Sequence, residues 1–228
     1  DNVAETSSCF AMITATLAKI ANEIVLLGRT ELGELREPIV GQATAGSSTM
    51  PHKRNPVLCQ RVVVLSSHVR GLLGVVMEAM IHENERDPRS LWSEWLAMPQ
   101  IALYTGTALH SMTLILADLE VFPERMLANL HLQKELVASE WLLFRLAEPL
   151  GKLKAQESLK RAMEQAAKEN RPLIDLLREN PEVGPLLTDA DFAVAVTPES
   201  YIGHSGEIVD AVLASIERGQ GDARVKSD

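Results

Sequence analysis

The side chains best suited to chemistry lie in one short segment, residues 46–56, which reads GSSTMPHKRNP. It places the hydroxyls of Ser47, Ser48 and Thr49 a few residues before the ammonium group of Lys53. A hydroxyl on a glycine-containing loop can transfer a proton when its neighbours activate it, and an ammonium group can hold an anion close by. The types and spacing of these residues therefore indicate a site for an anionic ligand, with proton transfer as the reaction it could support.

The same segment lies in the longest stretch of the chain without an acid. No Asp or Glu occurs from residue 38 to residue 77, although the chain has 31 acids in 228 residues and a formal net charge of −9. The cations inside this gap are Lys53, Arg54, Arg61 and Arg70. Cations without neighbouring acids create the local positive field that an anionic ligand needs on an acidic protein.

Asn55 and Pro56 predict the start of a helix, because Asn is a favoured N-cap residue and Pro a favoured first helical residue. The unpaired N–H groups and the positive dipole end of that helix would then face the loop and offer an anion site. From the residues alone a second reading stays open. In that reading the segment is a solvated helix-start loop whose hydroxyls only cap backbone groups.

Composition narrows the class of protein. The excess of acids argues against sequence-independent binding of nucleic acid, which needs a basic face. The two cysteines, Cys9 and Cys59, suggest neither a disulfide framework nor a metal cluster, so we expect no metal, no cofactor and a cytoplasmic setting. The sequence shows no uninterrupted apolar run of the roughly 20 residues that span a bilayer, so we expect no membrane partner.

The helical periodicity of the apolar residues predicts an all-α fold. Three long helices are expected, at residues 3–27, 56–85 and 89–119. Helices of this length exceed the usual globular helix and favour a long bundle. The stretch between the first two lacks sustained periodicity and is predicted to be a long loop, of the kind that often carries function.

The predicted helices are long before about residue 130 and shorter after it, so we place a domain boundary there. Shorter helices are expected beyond that point, at residues 134–150, 153–169, 172–178 and 205–218. We therefore predict a central helical-bundle domain at 1–130, which carries the signature loop at 41–56. A small all-α C-terminal domain is predicted at 131–228.

The segment at 46–56 resembles the signature loop of the fumarase, aspartase and argininosuccinate lyase superfamily. That loop has the pattern Gly-Ser-Ser-x-Met-Pro-x-Lys-x-Asn-Pro, which the chain matches at every fixed position. Other motifs are similar to its 3-carboxy-cis,cis-muconate cycloisomerase branch, with a slight departure in spacing: Glu85-Arg86-Asp87, Trp92-Ser93-Glu94-Trp95, and Tyr201-Ile202-Gly203 with Val209-Asp210. Family members are roughly twice as long, so the resemblance implies a C-terminal half that is inactive by itself.

The resemblance implies a role for each signature residue. Ser47 would be the catalytic base that removes a proton next to a carboxylate, and no metal is implied. The implied substrate-binding residues are Ser48, Thr49, Met50, Lys53 and Asn55. The implied ligand is a small polycarboxylate, and the implied assembly is a homotetramer with active sites shared between subunits.

Several functions stay open at this stage. The favoured one is lactone formation from a carboxymuconate, and the alternative is β-elimination that releases fumarate, as in adenylosuccinate lyase. A non-catalytic helical scaffold is a further alternative. A hydrolase with a Ser and Lys pair would need a mixed α/β fold, which the helical periodicity contradicts.

The region after the second predicted helix should separate the two enzyme alternatives. Trp92 and Trp95 share a helical face and are expected to be buried in a core or a subunit interface. A nucleotide phosphate would need arginine there, so Arg86 and Arg89 leave the adenylosuccinate lyase alternative open.

Overall fold

The computed structural model of the chain describes residues 1–40, 54–132 and 134–225. Its α-helices are α1 (Asn2–Leu27), α2 (Val57–Glu78), α3 (Pro88–Ala117), α4 (Pro123–Leu132), α5 (Ser139–Leu150), α6 (Lys152–Glu169), α7 (Leu173–Glu179), α8 (Asp189–Val196) and α9 (Ser205–Val225). Two short strands, β1 (Leu35–Arg36) and β2 (Glu120–Val121), pair antiparallel. The prediction of an all-α fold is therefore confirmed, with one small two-stranded ribbon added.

The chain divides into two compact units, residues 1–127 and 128–228. In the first, α1, α2 and α3 pack against one another around two apolar clusters. One cluster is centred on Val62 and Ile115, and the other on Val69 and Ile101. Small residues such as Ala21 and Ala108 are fully buried where the helices approach, so aliphatic side chains build this bundle as the composition predicts.

In the second unit, α5 and α6 form a helical hairpin whose core continues into α7 and α8. The largest fully buried side chains here include Leu142, Leu146 and Leu177. Helix α8 is closed at its N-terminus by a capping box, in which the Thr188 and Asp191 side chains each bond to the other's backbone N–H. Helix α8 lies between the helices expected at residues 172–178 and 205–218, where no helix is predicted, so it adds to the expected elements.

Helix α2 is shorter than predicted. It ends at Glu78, seven residues before the expected end at residue 85. The backbone at Asn84 and Arg86 has φ of 63° and 56°, a left-handed conformation that cannot continue a right-handed helix. The connection to α3 is held by Asp87, which accepts from the backbone N–H groups of Glu83 and Arg89.

Helix α1 is long and apolar. By length and mean hydropathy it is sufficient to cross a membrane, and 22% of its most apolar window is buried. A core helix of a soluble protein satisfies the same test, and α1 packs along α2 and α3. Lys19 and Glu23 interrupt its apolar residues, so the expectation that no uninterrupted apolar run reaches about 20 residues is not contradicted.

Candidate functional site

The described part of the candidate site surrounds the start of α2. A small cleft of about 40 Å³ opens there, lined by side chains from the end of α1, from β1 and from residues 54–56. The other sequence-predicted site residues, Ser47, Ser48, Thr49, Met50 and Lys53, lie outside the described residues. Asn55 lies inside them and is exposed at the entrance to the helix.

The ribbon of β1 and β2 brings an acid to this region. Leu35 pairs with Val121 and Arg36 with Glu120. The two carboxylate oxygens of Glu120 accept separately, one from Arg36 at 3.1 Å and the other from Arg54 at 2.9 Å. One acid thus links the strand that precedes segment 41–53 with the residue that follows it.

The N-terminus of α2 is capped by a distant carboxylate. Glu37 accepts from the backbone N–H of Leu58 at 3.1 Å and from that of Cys59 at 2.8 Å, one bond to each oxygen. The side chain is only 7% exposed. An anion in this position satisfies two helix N–H groups and lies at the positive end of the helix dipole.

This cap corrects two expectations about α2. Pro56 occupies the N-cap position with ψ of 67°, which is not helical, so the helix begins one residue later than predicted. No side chain from the cap residue itself bonds to the helix, and the Asn55 carbonyl, not its side chain, accepts from the N–H of Val57. Because Glu37 fills the N–H groups of Leu58 and Cys59, those groups are not free to bind a ligand.

Cys59 lies in the same buried region as the Glu37 carboxylate. Burial raises the pKa of the Cys59 thiol well above its usual range, and a hydrogen bond with Glu37 and the charge of that carboxylate raise it further. The thiol therefore stays protonated at neutral pH. A thiol held neutral is a poor nucleophile, so Cys59 is suited to packing and not to covalent chemistry.

The positive field is weaker than the sequence indicates. Arg54 is paired with Glu120, and Arg70 donates to the hydroxyls of Ser66 and Ser67 on its own helix. Arg61 is exposed on α2. Among the described cations of this stretch, Arg54 is thus paired with an acid, whereas the hydroxyls that Arg70 contacts are neutral and leave its charge uncompensated.

A second polar cluster lies between α2 and α3. Arg89 donates to Asp87 at 2.7 Å and forms an ion pair with Glu83 at 3.0 Å. The guanidinium of Arg89 and the N–H of Glu83 hold the pKa of the Asp87 carboxyl well below its usual range. The cleft beside this cluster has a volume of about 330 Å³ and includes Ser90 and Ser93.

The aromatic pair on α3 is not in the core. Trp92 is 60% exposed and Trp95 is 63% exposed within the chain. Trp95 borders an open apolar cleft of about 500 Å³ with Val3, Met98 and Pro99. The expectation of burial in a core is therefore wrong, while burial in a subunit interface stays a prediction.

In the second unit, Tyr201 of the Tyr-Ile-Gly motif contacts an acid on α5. The hydroxyl of Tyr201 donates to the carboxylate of Glu140 at 2.8 Å, and this bond raises the pKa of the tyrosine. Glu140 also borders an apolar groove of about 560 Å³ between α5 and α6. Within residues 1–40, 54–132 and 134–225 there is no group of three or more metal-ligating side chains.

Fold and site together define an all-α protein in which a long three-helix bundle presents a signature segment at the start of its second helix. Comparison with known families agrees with this class. Residues 1–71 match a family described as "Lyase", and residues 135–212 match one described as "Adenylosuccinate lyase C-terminus".

Known proteins extend this likeness over nearly all of the chain. Adenylosuccinate lyase of Pyrococcus abyssi is 37% identical over 221 residues, which is 95% of this chain and 48% of the relative. N-acetyl-S-(2-succino)cysteine lyase of Dickeya dadantii is 35% identical over 213 residues, 93% of this chain and 47% of the relative. The chain therefore spans about half the length of the curated relatives it matches.

A solved structure gives the same result for the fold. The 3-carboxy-cis,cis-muconate lactonizing enzyme from Pseudomonas putida superposes with a TM-score of 0.82 at 32% identity, over 96% of this chain and 48% of that one. The chain belongs to the fumarase, aspartase and argininosuccinate lyase superfamily.

Proposed function

We propose that the protein containing this chain is a lyase or cycloisomerase that moves a proton at the carbon next to a substrate carboxylate. The preferred reaction is lactone formation from a 3-carboxy-cis,cis-muconate. One carboxylate oxygen attacks the double bond to form the C–O bond, and the electron pair shifts to the neighbouring carbon and its carboxylate. Protonation of that carbon completes the product, and Ser47 is the proposed group that exchanges this proton.

The observation that carries the proposal is the signature segment, whose described end, residues 54–56, leads directly into the start of α2. A serine hydroxyl is a weak base unless its surroundings stabilise the alkoxide, so it depends on precise positioning. Lys53 and Asn55 are the proposed contacts of the developing carboxylate charge, with Ser48, Thr49 and Met50 as further substrate contacts. This mechanism needs no metal or cofactor.

Arg89 gives a specific reason to prefer the cycloisomerase over the nucleotide-dependent alternative. Its guanidinium already contacts Asp87 and Glu83. A phosphate would have to displace both carboxylates, so Arg89 is a poor phosphate ligand. A carboxymuconate substrate would arise in aromatic catabolism, so the preferred reaction belongs to that kind of metabolism.

The second candidate is adenylosuccinate lyase-type elimination, which breaks a C–N bond and releases fumarate. Two observations favour it: the match of residues 135–212 and the 37% identity to the Pyrococcus abyssi enzyme. Arg86 is exposed and makes no ion pair within the described part of the chain, so it would be the phosphate contact in that case. Incubating the full-length protein with each substrate and following lactone or fumarate by NMR separates the two reactions. Formation of neither product would support a scaffold.

Substitution of Ser47 by Ala tests the mechanism. We expect turnover to fall by at least about 10²-fold, because the carbon next to the carboxylate would lose its proton donor in lactone formation, or its proton acceptor in elimination. We expect little loss of thermal stability, because the change removes one hydroxyl and no apolar packing surface. Near-normal turnover of the variant would show that the proposed function is wrong.

Substitution of Lys53 by Met tests the anion contact. Binding of a dicarboxylate competitor, measured by calorimetry, should weaken by about tenfold, in line with a charge-assisted hydrogen bond of about 1.5 kcal/mol. Lys19→Met is the matched control, because Lys19 is an exposed lysine on α1 far along the sequence. Equal affinities for both variants would remove Lys53 from the site.

We also propose a soluble, cytoplasmic homotetramer with shared active sites. Large apolar side chains are exposed on all three bundle helices, among them Met12, Val64, Leu96 and Leu103. Such a surface is typical of helices that bury one face against another subunit. Light scattering of the full-length protein measures the assembly directly, and a monomer at micromolar concentration would contradict it.

A further inference from the structure

The start of α2 is held from outside its own sequence. An ordinary helix is capped by the side chain of its N-cap residue, but Pro56, which occupies that position in α2, has no side-chain acceptor. The chain instead uses Glu37, which lies 21 and 22 residues before the two amides that it accepts from. The cap therefore fixes a long-range distance as well as a helix end.

Glu37 is also unusual as a buried acid. It forms no ion pair with a described Lys, Arg or His side chain, and its described partners are two backbone N–H groups and the Cys59 thiol. A buried carboxylate is costly unless hydrogen bonds and a positive potential compensate for lost hydration. Here the helix terminus supplies both, so the acid and the helix start stabilise each other.

A second acid, Glu120, forms ion pairs in the same region. Glu120 connects Arg36, the residue before Glu37, with Arg54, the residue after segment 41–53. Carboxylates thus hold described residues on both sides of that segment. Glu37 makes the buried connection, while the pairs of Glu120 are more exposed and contribute less.

We propose that Glu37 is a positioning residue for the signature segment: it fixes the start of α2, and with it the residues that lead into the helix. This inference rests on the proposed function. It also implies that the substrate carboxylate is bound by signature side chains and not by the amides of Leu58 and Cys59, because Glu37 occupies those amides.

Glu37→Gln in the full-length protein tests this inference. The amide oxygen can accept from only one of the two N–H groups, and its NH₂ group faces the other, so the helix start should shift. We expect kcat to fall by about 10²-fold, as for a displacement of about 1 Å at a reacting group, with little change in KM. Glu37→Asp keeps both oxygens on a shorter side chain and should recover part of the loss.

A matched control and a structural measurement make the result decisive. Glu31→Gln makes the same chemical change at an exposed acid in the same connection and should leave kcat unchanged. Hydrogen exchange on this chain should speed up at the amides of Leu58 and Cys59 in Glu37→Gln, with the amides in the middle of α1 unaffected.

Three outcomes would overturn the inference. They are a kcat within about twofold of the parent protein, protected amides at Leu58 and Cys59, or a loss explained entirely by the unfolded fraction. Ser47→Ala separates this failure from failure of the proposed function. If Ser47→Ala is inactive while Glu37→Gln is normal, only the positioning role is wrong, whereas an active Ser47→Ala refutes the reaction itself.

Discussion

Thr105 is the side chain whose replacement should stabilise the bundle. It lies on α3 and is 3% exposed, and its hydroxyl has no hydrogen-bond partner among the described residues. Other threonines on the same helix behave differently. Thr107 and Thr113 donate to the carbonyl oxygens of Leu103 and Leu109, at 2.8 and 3.0 Å.

The expected gain follows from this missing bond. A buried polar group without a partner costs about 1–3 kcal/mol. Valine has nearly the shape of threonine and a similar helix propensity, so Thr105→Val removes the cost without a cavity or a clash. Using the lower end, we expect the free energy of unfolding to rise by about 1 kcal/mol, which raises Tm by roughly 2–4 °C for a chain of this size.

Urea unfolding followed by circular dichroism measures the change. Thr113→Val is the matched control, because it removes a hydroxyl that is exposed and satisfied, and its effect should stay within about 0.5 kcal/mol. A decrease in stability for Thr105→Val, together with an unchanged control, would refute the reasoning. It would show that the hydroxyl has a partner that stabilises the fold.

Two further predictions concern the second unit. The pKa of Asp191 is lowered because the N–H of Thr188 donates to its carboxylate. The carboxylate therefore contributes fully to stability above the unfolded carboxyl pKa of about 3.9. This contribution is lost as the pH falls through the folded pKa. Urea unfolding should therefore show a deficit for Asp191→Asn at pH 7 that shrinks below about pH 4, and a deficit independent of pH would contradict this. A Cβ on Gly184 would lie 2.5 Å from the backbone oxygen of Arg178, so Gly184→Ala should lower stability by about 1–3 kcal/mol in calorimetry. Gly206, which has nothing within 4 Å, is the control, and equal effects at the two sites would refute the packing argument.

The long helices were predictable because their signal is local. Apolar residues recur at helical spacing along α1, and its predicted end at residue 27 agrees with Leu27. The start of α3 was predicted to within one residue, at residue 89 against Pro88. The end of α2 at Glu78 was missed, although Asn84 is a residue type that often adopts the left-handed conformation, whereas arginine, as at Arg86, rarely does.

Other elements were missed for different reasons. Strands β1 and β2 have two residues each and pair across more than 80 positions, so neither has a periodic pattern to detect. Helix α8 could have been found, because Thr188 and Asp191 have the spacing of a capping box. The Asp, Pro and Gly residues around it instead favoured the reading as a loop.

The anion site shows where sequence reasoning is limited. A helix start within an acid-free stretch predicted a site for an anionic ligand, whereas the structure places a carboxylate of the chain itself at the helix amides. The anion is Glu37, the last acid before the gap, because folding brings it back over a separation that no local spacing rule covers. If α2 is already neutralised by its own chain, charge recognition of a substrate falls to Lys53 and the hydroxyls of the signature segment. The substrate affinity of Lys53→Met therefore measures that recognition, and the kcat of Glu37→Gln measures how well the segment is held.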